Sequence, residues 1–61
     1  MLTQYQKYLL HMQSALDQFE AGALNVLADP QACETVRTMI ENIQWRTRLL
    51  LTMIEQEIEA G

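Results

Sequence analysis

The four residues "ADPQ", at positions 28 to 31, divide this 61-residue chain into two parts. Asp29 can accept a hydrogen bond from a free backbone N–H at a helix start. Pro30 suits the first helical position, where its missing N–H removes no hydrogen bond. We therefore predict that a second helix begins at Pro30, with Asp29 as its N-cap.

The chain downstream of Pro30 contains no further proline and no glycine before Gly61. It predicts one helix over residues 30 to 60, with Arg37 and Glu41 paired across one turn of its wet face. Apolar side chains recur there at alternating spacings of three and four, which predicts the seam against another helix. The predicted seam contains Cys33, Val36, Ile40, Ile43, Thr47, Leu50 and Ile54, with Ile58 alongside.

The chain upstream of "ADPQ" predicts a first helix. Thr3 and Gln6 have the spacing of a capping box, so this helix should begin near Gln4. Its apolar positions are spaced by three and four, and they are Tyr5, Tyr8, Leu9, Met12, Ala15, Leu16 and Phe19.

Gly22 favours a helix end at about Ala21, because glycine readily adopts the left-handed turn that follows many helices. An alternative remains open. The following "ALNVLA" could extend the helix to Leu27 if one internal glycine is tolerated, at roughly 1 kcal/mol relative to alanine.

Two helices joined by a short connection predict an all-α antiparallel hairpin, with helices at about 4–21 and 30–60, in a single domain covering 1–61. With these bounds the helices are about 27 Å and 45 Å long. About three turns of the second helix, residues 49 to 60, would then overhang the hairpin. We expect another chain to complete it.

The second helix carries an additional apolar stripe of Trp45, Leu49 and Met53, nearly opposite its predicted seam. One hairpin cannot cover both sides of a helix. We predict that this stripe, with Trp45 as anchor and Met39 as a further contact residue, binds another protein chain. Two alternatives are folding back against Met1 and Leu2, and packing in a homodimer.

Composition excludes several other sources of stability and several functions. A chain this short buries little surface, and Cys33 and His11 are its only cysteine and histidine, so neither an internal disulfide nor a zinc-type ligand set is available. The net charge of -4 argues against a nucleic-acid partner. Association with protein is the remaining source of stability, as a homo-oligomer or with a different chain.

The candidate reactive residues predict no enzyme, cofactor or metal site. His11 lacks a second ligand or catalytic partner and is expected on the surface. Cys33 is expected to be a small buried apolar residue, and Glu55, Glu57 and Glu59 alternate along a solvated helix end. The segment "MLTQYQKYLL" lacks signal-peptide features, and Arg46 and Arg48 interrupt the most apolar run. These features predict a cytoplasmic protein without membrane insertion.

A helix closed by "LDQFEAG", a connection with "ADPQ", and a long second helix containing "IENIQWRTRLLLTMI" resemble the small helical-hairpin co-chaperones of bacterial type III secretion needle subunits, the YscE/PscE/EscE type. The resemblance covers most of the chain. It implies that the hairpin pairs with a helical-repeat chaperone, and that together they hold the needle subunit monomeric before export. The shorter N-terminus and Trp45 depart from that family.

The alternative is a structural homo-oligomer. Two hairpins could form a four-helix bundle that acts as an adaptor or regulator, or the chain could be a small secretion-apparatus subunit. Sedimentation of the isolated chain distinguishes the two functions.

Overall fold

The computed structural model describes residues 1–60. It contains helix α1, Gln4–Ala28, and helix α2, Glu34–Ala60, which run antiparallel and are connected by residues 29–33. The molecule is a rod of 46 × 15 × 12 Å. The predicted all-α helical hairpin is confirmed.

The capping box at the start of α1 is also confirmed. The Thr3 hydroxyl accepts a hydrogen bond from the Gln6 backbone N–H at 3.1 Å, and the Gln6 Oε1 accepts one from the Thr3 backbone N–H at 2.9 Å. These reciprocal bonds satisfy two backbone donors that the first helical turn leaves free. They also give the buried Gln6 side chain a partner.

The predicted end of α1 at Ala21 is wrong, because the helix continues through Gly22 to Ala28. Beyond Gly22, Ala23 is buried and Leu27 is half-buried. Burial of these side chains offsets the roughly 1 kcal/mol that an internal glycine costs. The alternative end at Leu27 was therefore close to the observed one.

The predicted start of α2 at Pro30 is also wrong, because α2 begins at Glu34. Asp29 caps the end of α1, and its backbone N–H donates to the Val26 carbonyl at 3.1 Å. Its side-chain Oδ1 accepts from the Gln31 N–H at 2.8 Å. An aspartate side chain bonded two residues ahead stabilises a turn, so Asp29 and Pro30 form the chain reversal instead of a helix start.

Arg37 holds the connection in place through three hydrogen bonds to backbone carbonyls. Its Nη1 donates to Leu27 at 2.7 Å, its Nη2 to Asp29 at 2.7 Å and its Nε to Ala32 at 3.1 Å. The fork of guanidinium donors suits the free carbonyls at a helix end. The predicted surface pair with Glu41 is wrong, since this half-buried guanidinium faces the connection.

The residues between the helices recur at alternating spacings of three and four along both of them, and we call them the seam. On α1 they are Gln6, Leu9, Gln13, Leu16, Glu20, Ala23 and Leu27, and on α2 they are Arg37, Ile40, Gln44, Thr47, Leu51, Ile54 and Ile58. All of them are buried or half-buried. The spacing is that of a two-helix coiled coil.

The predicted seam of α2 was partly correct. Ile40, Thr47, Ile54 and Ile58 belong to it, whereas four other predicted members, Cys33, Val36, Ile43 and Leu50, are exposed. On α1, four of the apolar positions predicted from the sequence are exposed: Tyr5, Tyr8, Met12 and Ala15. Polar side chains such as Gln13 and Gln44 occupy the seam instead, so the apolar pattern alone assigned the wrong residues to the core.

The predicted overhang of α2 is absent. The helices contain 25 and 27 residues, about 37 Å and 40 Å at the usual rise per residue. Residues 49 to 60 of α2 therefore pack beside the first half of α1. The apolar side chains of α2 that are exposed therefore face away from α1 and do not extend beyond its end.

Candidate protein-binding surfaces

The side of α2 that faces away from α1 carries Trp45, Leu49 and Met53, which we call the outer ridge. They follow one another at four-residue spacing and therefore lie on successive turns. Their exposed fractions are 63, 50 and 62 %. Met1 and Leu2 do not fold back over them, so within the hairpin the outer ridge is open to solvent.

Met39, predicted as a further contact residue, is 60 % exposed but lies off the outer ridge. It is six residues before Trp45, which rotates it by about 120° around the helix. Its neighbours on the helix surface are Val36 and Ile43. The four predicted contact residues therefore divide between two surfaces.

The second surface consists of the residues one position before each seam residue, and we call it the apolar face. On α1 these are Tyr5, Tyr8, Met12, Ala15, Phe19, Gly22 and Val26, and on α2 they are Val36, Met39, Ile43, Arg46, Leu50, Met53 and Glu57. Most of its large apolar side chains are exposed, from 38 % for Leu50 to 62 % for Met53. Met53 lies where the apolar face meets the outer ridge.

Both helical stripes of the apolar face lie on the same side of the hairpin. Two antiparallel helices are related by a two-fold rotation about an axis perpendicular to the plane of the hairpin. Residues one position before a seam residue therefore lie on the same side of the hairpin in both helices. The open end of the hairpin agrees, because Tyr5 of α1 and Glu57 of α2 line one shallow surface hollow with Gln6 and Ala60. The two stripes thus form one continuous surface.

The residues one position after each seam residue form the opposite side, which is more polar. They are Lys7, Leu10, Ser14, Asp17, Ala21, Leu24 and Ala28 on α1, and Thr38, Glu41, Trp45, Arg48, Thr52, Glu55 and Glu59 on α2. Arg48 Nε lies 3.8 Å from Glu20 Oε1. This is within ion-pair range but too long for a hydrogen bond, and Glu20 Oε1 is buried without a hydrogen-bond partner.

The helical spacing of the apolar face is present in the sequence, but spacing alone does not distinguish an exposed stripe from a buried one. Helical spacing predicts Tyr5, Tyr8 and Met12 on the apolar side of the first helix, but the same spacing describes any continuous stripe on a helix, buried or exposed. The missed signal was the second, more polar stripe beside them, in which Leu9 and Leu16 alternate with Gln6 and Gln13.

The candidate reactive residues lie apart from one another. His11 is exposed, as predicted, whereas Cys33 is exposed and the prediction that it is buried was wrong. Among residues 1–60 no group of three His, Cys, Asp or Glu side chains is placed to hold a metal ion. Neither helix of the described chain has the length and apolar character needed to cross a membrane.

Comparison with protein families, curated proteins and solved structures gives no significant match.

Proposed function

We propose that this chain is a non-enzymatic protein-binding subunit whose outer ridge contacts a different protein. The observation that supports this proposal is the 63 % exposure of Trp45, with Leu49 and Met53 on the next two turns. Exposed apolar patches mark interaction sites, and tryptophan is enriched among residues that dominate binding energy. Three apolar anchors on one helix fit recognition of a helix in a groove.

The resemblance to the hairpin co-chaperones of type III secretion needle subunits suggests the specific role. In that role the hairpin pairs with a helical-repeat chaperone in the cytoplasm, and the two hold the needle subunit monomeric until export. The hairpin layout is consistent with this role. Trp45, which departs from the family, would be the main contact of the hairpin with the chaperone.

Co-expression of the chain with a helical-repeat chaperone and a needle subunit from the same organism tests this function. We expect a ternary complex on gel filtration that contains one needle subunit. Trp45→Ala should weaken the complex by about 2 kcal/mol or more, since it removes the largest apolar anchor of the outer ridge. Leu24→Ala is the matched control, because Leu24 is 59 % exposed on α1 and lies off the outer ridge.

The absence of any complex would argue against the co-chaperone role. Equal binding by Trp45→Ala and the unaltered chain would show that the outer ridge is not the contact. Circular dichroism of Trp45→Ala should retain the helical signal, because the side chain is exposed and its removal should change fold stability by no more than about 0.5 kcal/mol.

A further inference from the structure

We propose that the apolar face binds a second copy of this chain, so that two hairpins pack face to face into a four-helix bundle. This inference does not depend on the proposed partner of the outer ridge, because the anchor Trp45 lies on the other side of the hairpin and only Met53 belongs to both surfaces. It commits to self-association through one defined surface, and three observations support it.

The first observation is the amount of surface that the hairpin exposes. The chain has a mass of 7.1 kDa and an accessible surface of 4886 Å². A compact folded monomer of this mass exposes about 4,100 Å². The excess of about 800 Å² equals the area that each partner buries in a standard protein interface. One further hairpin on the apolar face could bury that excess.

The second observation is the distribution of charge. Arg46 and Glu57 are the only charged residues of the apolar face. The acidic residues that give the chain its net charge of -4 lie elsewhere, five of the other seven on or near the polar side: Asp17, Glu34, Glu41, Glu55 and Glu59. Two copies can therefore approach through the apolar face without bringing their acidic surfaces together.

The third observation is that the two charges are self-complementary. In a symmetric dimer of antiparallel helices, a residue on one side of the two-fold axis faces the residue of the second copy that is equally far along the helix on the other side. If the two α2 helices lie antiparallel about a point between Leu51 and Thr52, Arg46 of one copy meets Glu57 of the second. The same arrangement places Leu50 against Met53 of the second copy. Both ion pairs and apolar contacts form twice in such a dimer.

This arrangement also gives the tyrosines of α1 a partner. The residues of α1 that lie beside this part of α2 are in its first half, where Tyr5, Tyr8 and Met12 are exposed on the apolar face. In a face-to-face dimer they meet the same stripe of the second copy. Tyrosine and methionine are enriched in protein interfaces. The residues of the apolar face from Tyr5 to Met12 include no charged side chain.

The test is sedimentation equilibrium of the full chain from low micromolar to near-millimolar concentration. We expect the unaltered chain to be a dimer in the micromolar range. Leu50→Glu, which places a carboxylate beside the two-fold axis and opposite Met53 of the second copy, should raise the dissociation constant by about a hundredfold or more. Leu24→Glu, the matched control on the polar side, should dimerise like the unaltered chain.

Met12→Glu on α1 repeats the test on the other helix, and circular dichroism of each variant identifies any that does not fold. A monomeric unaltered chain at every concentration would overturn the proposal and leave the apolar face to a different protein. So would a folded Leu50→Glu and a folded Met12→Glu that both dimerise normally. Persistence of the dimer in Trp45→Ala is expected, and it distinguishes this surface from the outer ridge.

Charge exchange tests the pairing. Arg46→Glu and Glu57→Arg each bring like charges together and should each weaken the dimer by about tenfold. The double variant R46E/E57R restores opposite charges and should recover most of that loss. Failure of the double variant to recover would overturn the antiparallel pairing of the two α2 helices.

Discussion

The seam and the apolar face are adjacent stripes on the same two helices, yet the buried stripe is the more polar one. The seam includes Gln6, Gln13, Glu20, Arg37, Gln44 and Thr47, nearly half of its positions. The apolar face, which is open to solvent, contains only Arg46 and Glu57 as charged or strongly polar residues. A hairpin whose better hydrophobic surface faces outward is expected to associate, because a polar seam supplies little hydrophobic stabilisation.

Two of the polar residues of the seam are satisfied by local hydrogen bonds. Gln6 is satisfied by the capping box and Arg37 by three carbonyls of the connection. These bonds lie at opposite ends of the hairpin and fix where each helix begins or ends. Between them Ile54, 2 % exposed, is the most completely buried large side chain. We therefore expect the stability of the hairpin to depend on a few seam residues, which substitutions can identify.

The largest effect on stability is expected for Ile54→Ala. Removing a fully buried isoleucine leaves a cavity and typically costs 2–5 kcal/mol, about the whole stability of a domain this small. Ile43→Ala is the matched control, because Ile43 is 46 % exposed on the apolar face. Both alanine variants are made in a monomeric background such as Leu50→Glu, and chemical denaturation and thermal melts at low concentration provide the measurement. Equal losses for both would show that the seam is misplaced.

Arg37→Ala should be the next most damaging substitution. It removes three hydrogen bonds from a charged donor and leaves the carbonyls of Leu27, Asp29 and Ala32 without that donor. We expect a loss of about 1–3 kcal/mol. Arg48→Ala, which removes a side chain that is 68 % exposed, should change stability little.

Hydrogen exchange at residues 27 to 32 reports on the same substitution. In Arg37→Ala we expect exchange to increase more at residues 27 to 32 than in α2 beyond residue 44, where it follows global unfolding. A loss of stability without any local change in exchange would contradict the role of Arg37 in holding the connection.

Gln44→Leu sharpens the comparison from the opposite direction. Gln44 is half-buried in the seam, so a leucine there should add about 1 kcal/mol of stability by burying apolar area in place of an amide. The free energy of unfolding from denaturant titration is the measurement. A destabilised variant would indicate that the Gln44 amide contributes to packing that leucine cannot reproduce.

The smallest effect is expected for Gly22→Ala. Gly22 is helical within α1, and a Cβ added there would meet no atom within 4 Å. Alanine should therefore stabilise the hairpin by roughly 0.5–1 kcal/mol through helix propensity. A melt at low concentration measures the gain. Because Gly22 lies on the apolar face, a gain in the monomer that disappears at dimer concentrations would mean that the second copy approaches the backbone there.

The sequence by itself determined the helical content, the capping box at Thr3 and the position of the chain reversal near Asp29 and Pro30. These features depend on side chains that bond to backbone only a few residues away, so local chemistry was sufficient to predict them. The exposed outer ridge was also predictable, because Trp45 and Ile54 lie on different sides of any α-helix.

Only the tertiary structure decided which stripe became the seam and where the helices meet the connection. Two stripes one residue apart have the same spacing, and the more apolar one was the natural prediction for the core. In the observed rotation of α2, Arg37 bonds to the end of α1, Gln44 and Thr47 face inward, and Ile43 faces outward. Such a bond joins residues that are separated by the turn, so the helical period of either segment contains no information about it.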